Sequence, residues 1–97
     1  MNIELKKFGV VLTSRQSGKE AYAAFSPLLA GVPADEKIAV DFSGVVALSP
    51  SWADEFFTPL LETYGDRLSL APSDNPSVKL TISTLEKISG KKFNSIG

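Results

Sequence analysis

Cysteine and histidine are both missing from this chain of 97 residues. Without thiols there are no disulfides, no thiolate nucleophile and no zinc-thiolate site. Without imidazole there is no Ser-His-Asp triad, no zincin motif and no histidine acid-base pair. Hard-cation binding by carboxylates stays open in principle, but the residues present lead us to expect no metal and no cofactor. Long apolar runs are missing too, since no stretch approaches the ~20 residues that a membrane-spanning helix needs. The opening MNIELKK alternates polar and apolar residues and has no apolar core of a secretory signal. The expectation is therefore a cytoplasmic protein. Neither sign of charge dominates: ten Lys and Arg against eleven Asp and Glu leave a net charge of -1. The cations are scattered, so neither nucleic acid nor a membrane surface is an expected partner.

What is present is ordinary for a globular protein, 43% apolar and 22% charged. The length suits one domain over residues 1–97 with a core of its own and no separate catalytic lobe. Ile3, Leu5 and Lys7 share a face of an extended run, and Val10, Val11 and Leu12 form a second run after Gly9, which reads as a hairpin or a bent strand pair. Ser17 and Glu20 then have the spacing of a capping box that starts a helix. Its apolar stripe is Ala21, Tyr22, Phe25, Leu28 and Leu29, and Pro27 either kinks it or restarts it with Ser26 as cap. Gly31 and Pro33 end it.

Residues 37–42, KIAVDF, read as a buried central strand that Val45 to Leu48 extend or follow. The clearest helix comes next, with Trp52, Ala53, Phe56, Phe57, Leu60, Leu61 and Tyr64 at helical spacing and Gly65 at its end. Pro59 lies on its polar side and should bend it. Residues 67–71 alternate like another strand. Asn75-Pro76 is the cap and first residue of a last helix that turns Val78, Ile82 and Leu85 inward and stops at Gly90. The tail 91–97 docks through Phe93 and Ile96 or frays. The order is an N-terminal hairpin followed by β-α-β-α-β-α, which right-handed crossovers turn into an α/β fold with a mixed sheet and helices packed against it.

Two segments, KIAVDFSGVVALSPSWADEFF and GDRLSLAPSDNPSVKLTISTLEKI, give the chain its likeness. Together they resemble the STAS domain, the family of anti-sigma factor antagonists and anion-transporter C-terminal domains, and most of all its STAS-like relative of unknown function. The Asp-Leu-Ser-Gly-Val turn of that pattern is echoed by Asp41 to Val45, and the Asn-Pro-like cap by Asn75-Pro76. Its Asp-Ser-Ser-Gly motif falls on Ser49, Pro50, Ser51 and Trp52, and the helix opening of the STAS-like group on Trp52, Ala53, Asp54 and Glu55. The likeness spans roughly residues 8–90. It implies a bacterial regulatory module whose partner is a histidine-kinase-like ATPase or an anti-sigma-type regulator. In antagonists of the family the first Ser of the motif is phosphorylated. That place here is Pro50, which has no hydroxyl, so Ser49 or Ser51 would have to serve as phosphoacceptor.

The residues of this seam each carry two readings. Ser51 reads as a helix cap with Asp54 as the acid of a capping box. Alternatively the amides of residues 52–54 form an anion site with Ser49 and Ser51 as ligands. Asp54 and Glu55 read as first-turn acids that match the helix dipole, repel phosphate and favour a cationic partner; pointing ~100° apart, they cannot flank one scissile bond. Trp52 is core, partner anchor or both. Asp41 caps the turn through Ser43 and Gly44, or takes part in a site. Arg15 is an ion-pair partner or a surface charge facing the same edge. The expected function is a non-enzymatic protein-interaction module, with homo-oligomers possible in kind. The alternative is a small-ligand or nucleotide-binding domain with a pocket near Asp41, Ser49 and Ser51. Hydrolase activity has least support, because no base is paired by spacing with a nucleophile.

Overall fold

A computed structural model describes residues 1–95. Six strands are present among the described residues: β1 (Asn2–Glu4), β2 (Val11–Leu12), β3 (Ile38–Asp41), β4 (Ala47–Leu48), β5 (Leu68–Leu70) and β6 (Asn94–Ser95). Three helices accompany them: α1 (Arg15–Ala30), α2 (Pro50–Tyr64) and α3 (Pro76–Ser89). The α/β class is as the sequence predicts. A main sheet has the order β1-β3-β5-β6, and β2 and β4 form a separate ribbon.

The expected N-terminal hairpin is not there, and neither is the mixed character it would have given the sheet. Every strand pair among the described residues is parallel, β1 lying beside β3 and β2 beside β4. The cause lies between the two runs. Residues 5–9 offer no two-residue turn of the Asn-Gly kind that reverses a strand. They form a 3-10 turn instead, which sinks Leu5 fully and sets the Phe8 ring 5.7 Å from Phe25 and 5.2 Å from Phe56. The chain thus passes from the main sheet into the ribbon.

In the main sheet the register sets Ile3 beside Val40, Ile38 beside Leu68 and Val40 beside Leu70, and these side chains are all buried. β3 is central, as expected, but it alternates buried with half-buried residues, so one face carries the core. Against that core lies α2. Trp52, Ala53, Phe56, Phe57 and Leu60 are each at most 1% exposed, which bears out the stripe read from their spacing. Trp52 stacks on Phe56 with ring centres 5.1 Å apart.

Two details of α1 differ from expectation. Ser14, not Ser17, is the cap, and its Oγ accepts the Ser17 N–H at 2.9 Å. Both serines have capping chemistry, but the earlier start lets Arg15 and Gly18 meet α2. The helix also runs through Pro27 without a restart. Pro27 has no N–H to give the Ala23 carbonyl, and the Ser26 hydroxyl donates to that carbonyl instead at 3.4 Å. Leu28, expected inside, is 62% exposed, because it points ~100° away from the buried Leu29.

The end of α3 and the tail are clearer. Gly90 ends the helix in the left-handed region, its N–H on the Glu86 carbonyl. Val78 and Leu85 are buried and Ile82 partly so. The Phe93 N–H donates to Glu86 Oε2 at 2.8 Å, its ring packs on Phe57, and β6 follows beside β5. Ile96, the other expected docking residue, lies outside the described residues.

The ribbon remains two-stranded because α3 takes the place of a third strand. Ser77 Oγ accepts the Leu48 N–H at 2.9 Å and donates to the Leu48 carbonyl, where the buried Thr81 hydroxyl also donates at 2.6 Å. Asn75 Nδ2 donates to the carbonyls of Val45 and Val46 while Asn75 Oδ1 caps α3 through the Ser77 N–H.

On the other side, α1 and α2 approach at Gly18. A Cβ built on Gly18 would lie 2.4 Å from the Trp52 carbonyl oxygen and 2.9 Å from its Cα, atoms that cannot swing away. Gly18→Ala should therefore destabilise the fold by about 2 kcal/mol or more in urea unfolding. Gly31→Ala is the control: its nearest neighbour is 3.7 Å away and its φ is -86°, so it should shift stability by less than about 1 kcal/mol.

Candidate functional site

The seam between β4 and α2 begins with Ser49. Its backbone is extended, and its Oγ accepts the Trp52 N–H at 3.2 Å while its hydroxyl donates to the Thr13 carbonyl at 2.9 Å. Ser49 is therefore the cap, not Ser51, and Pro50 is the first helical residue. A proline fits that place because its φ is preset and no partner is needed for the missing N–H. Ser49-Pro50 is thus the same start signal as Asn75-Pro76.

That two-residue shift of the cap moves the other candidates. Ser51 becomes the second helical residue, half-buried, and its hydroxyl enters no hydrogen bond among the described residues. Asp54 and Glu55 fall beyond the first turn, which holds no acid, so they neither form the expected capping box nor cover the helix dipole. Their charge is met elsewhere. Arg15 Nη1 lies 3.0 Å from Asp54 Oδ2 and 3.0 Å from Glu55 Oε1, so two carboxylates that leave the helix at different angles converge on one guanidinium. The cation that suits this edge comes from α1 of the same chain.

The Thr58 hydroxyl donates to Asp54 Oδ1 at 2.7 Å. This bond first, and the Arg15 bond second, hold the Asp54 carboxyl below the usual carboxylate range. The same two acids raise the Arg15 guanidinium above its ordinary value, Asp54 more than Glu55. Trp52 is 1% exposed, so its indole is a core group and is closed to a partner in this conformation.

Asp41 stands apart from the seam. Its Oδ1 accepts the Ser43 N–H at 3.0 Å and the Ser43 hydroxyl at 2.8 Å, and these bonds, with a smaller effect of Lys6, lower its pKa. This is the turn-capping role read from the sequence. Gly44 follows with φ 84°, as the third residue of a turn closed by the Val45 N–H on the Phe42 carbonyl. None of the Asp41 bonds is shared with Ser49 or Ser51.

Sequence reasoning missed the polar stitching of α3 to β4 through Ser77 and Thr81. It also missed Gly18, whose only signal was its place in the first turns of a helix where alanine would be the better helix former. Among the described residues no three acidic side chains converge so as to hold a metal ion, and no helix is long and apolar enough to cross a membrane.

Two outcomes follow from this geometry. Ser49→Ala should cost about 1 kcal/mol or more by removing both the cap and the bond to Thr13, whereas Ser51→Ala should stay within about 0.5 kcal/mol of the parent. The second concerns acid. The folded pKa of Asp54 lies below its unfolded value, so its contribution is complete above about pH 5 and is lost as pH falls through the folded value. Thr58→Val raises the folded value. Its urea midpoint should therefore lie below the parent's near neutral pH, and the gap should narrow as pH falls through the folded value; a gap that stays constant with pH would contradict this linkage.

The family comparison agrees with the architecture. The model of the STAS-like domain of unknown function (DUF4325) matches residues 22–86, from the middle of α1 to the end of the buried part of α3. No curated protein and no solved structure matches the chain. The match covers more than half of the chain and takes in the central strands, α2 and its seam, and most of α3; the chain belongs to the STAS-like domain family.

Proposed function

We propose that this domain is a non-enzymatic, regulatory protein-interaction module, docking through the start of α2 and the β2–β4 ribbon beside it. The observation that carries the reading is a contrast at one edge. The groups that would do chemistry are already engaged: Asp41 by Ser43, Asp54 by Thr58 and Arg15, Glu55 by Arg15. Beside them, aliphatic groups are free. Val10, Val11 and Val46 are 49%, 58% and 65% exposed, and the Val46 N–H donates to the Val10 carbonyl at 2.7 Å, so they form one patch. Clustered exposed valines mark a binding surface more readily than scattered ones.

A cytoplasmic histidine-kinase-like ATPase or anti-sigma-type regulator is the partner class that family resemblance supports. Control by phosphate belongs to the same reading, with Ser51 the better acceptor. Its hydroxyl is unengaged at the second position of α2, where a phosphate would meet the positive end of the helix dipole. Ser49 is the poorer acceptor, because its hydroxyl holds the cap and the Thr13 carbonyl together. That double engagement also weighs against the alternative of a small ligand or nucleotide held at Ser49–Ser51.

The test is pairwise binding, by biolayer interferometry, of the full chain to each histidine-kinase-like ATPase of its own cell. One of them should bind, and Val46→Glu should weaken the complex by about tenfold or more. If none binds while calorimetry finds saturable ATP binding to the domain that Ser51→Ala abolishes, the ligand-binding alternative replaces this reading.

A further inference from the structure

The ribbon has a free side. Leu48 turns its N–H and carbonyl toward α3, while Ala47 and Ser49 donate to the carbonyls of Val10 and Leu12 across the ribbon. Main-chain groups alternate along a strand, so Val10 and Leu12 face β4 and the N–H and carbonyl of Val11 face away from it. Among the described residues no third strand joins β2, and no main-chain group from outside the ribbon reaches Val11. Sheet edges of this kind are commonly blunted by a charge, a proline or a bulge. Val10-Val11-Leu12 carries none of the first two, and its valines are half exposed.

Next to that edge is a groove of about 370 Å³. It is lined by Phe8, Val11 and Leu12, by Ser17, Glu20 and Ala21 of α1, and by the otherwise buried Trp52 of α2, with no residue of β4 among them. A strand edge facing a helix across a groove is the geometry in which domains take up an extended peptide as an extra strand. Among the described residues Glu20 is the only charged one lining the groove, and it enters no ion pair with any of them.

We propose that this groove receives an extended segment of a partner protein as a strand added to β2, with an aliphatic side chain on the Phe8–Leu12 wall and a lysine or arginine beside Glu20. The inference rests on the interaction reading above and names the chemistry of the partner. A second copy of this chain is the poorer occupant. Three valines expose roughly a few hundred Å², well short of the ~800 Å² per partner of a stable dimer, whereas a short strand draws affinity from main-chain bonds as well. The free charge also asks for a cation, and the edge of β2 itself offers valines.

The test uses decapeptides selected from a phage-displayed random library on the full chain, the best of them synthesised and followed by NMR. The expected winners carry Lys or Arg near alternating aliphatic residues, and they shift the Val11 amide and slow its hydrogen exchange. N-methylation of the peptide nitrogens that face β2 should weaken binding about tenfold, because it removes strand pairing and leaves the side chains. Glu20→Lys, an exposed substitution, should weaken it to a similar degree. The proposal is overturned if the library enriches no sequence, if N-methylation is without effect, or if the peptides protect α2 near Ser51 and leave Val11 untouched. In that last case the interaction module stands and only the groove falls; failure of the module is read separately, from the ATPase binding experiment.

Discussion

Main chain lies on main chain where α1 crosses the start of α2, and the rest of the fold takes its bearings from that contact. Gly18 lets the first turns of α1 settle on the backbone of Trp52, closer than any side chain would permit. Around it the two helix starts are joined twice more, by the Ser49 hydroxyl on the Thr13 carbonyl and by Arg15 between Asp54 and Glu55. The polar bonds at the surface are individually weak, since exposed ion pairs contribute little. They gain direction from the close approach beneath them, which fixes where each helix begins. With α1 held there, Trp52 is driven into the core and Phe8 closes over it.

A second constraint shapes the edge of the molecule. β4 needs partners on both sides, and α3 supplies one side with hydroxyls and an amide from Asn75, Ser77 and Thr81 instead of a strand. Buried main-chain groups must be satisfied, and side chains at a helix start can do it as well as a ladder can. The consequence is that β2 is paired on one side and open on the other. Apolar surface and unpaired backbone thus accumulate at one place, beside a seam whose charged groups are bonded to one another, and this is the physical basis for reading the domain as a module that binds.

Much of this was legible from pattern alone. The stripe of α2 held because its apolar residues recur at 3.6-residue spacing, five of them entering the core and Leu61 and Tyr64 packing against it. Asn75-Pro76 and Gly90 bracketed α3 because cap, proline and left-handed glycine act locally. The same rule applied to Ser49-Pro50 finds the true start of α2, and with it the right places for Ser51, Asp54 and Glu55. Local chemistry was ambiguous only where two serines competed, as at Ser14 and Ser17, and there the packing of α1 on α2 decided.

By itself the sequence determined the three helices and the central strands, the stripe that becomes the core, the absence of imidazole and thiol chemistry, and the family, since each depends on residue identity or on spacing within one segment. The tertiary structure decided what depends on segments far apart. It replaced the hairpin with a 3-10 turn that sinks Leu5 and leaves the strands parallel, it matched Arg15 to acids some forty residues away, and it left β2 with a free edge. These are matters of which surfaces meet, and a contact between distant segments leaves no period or spacing in either of them.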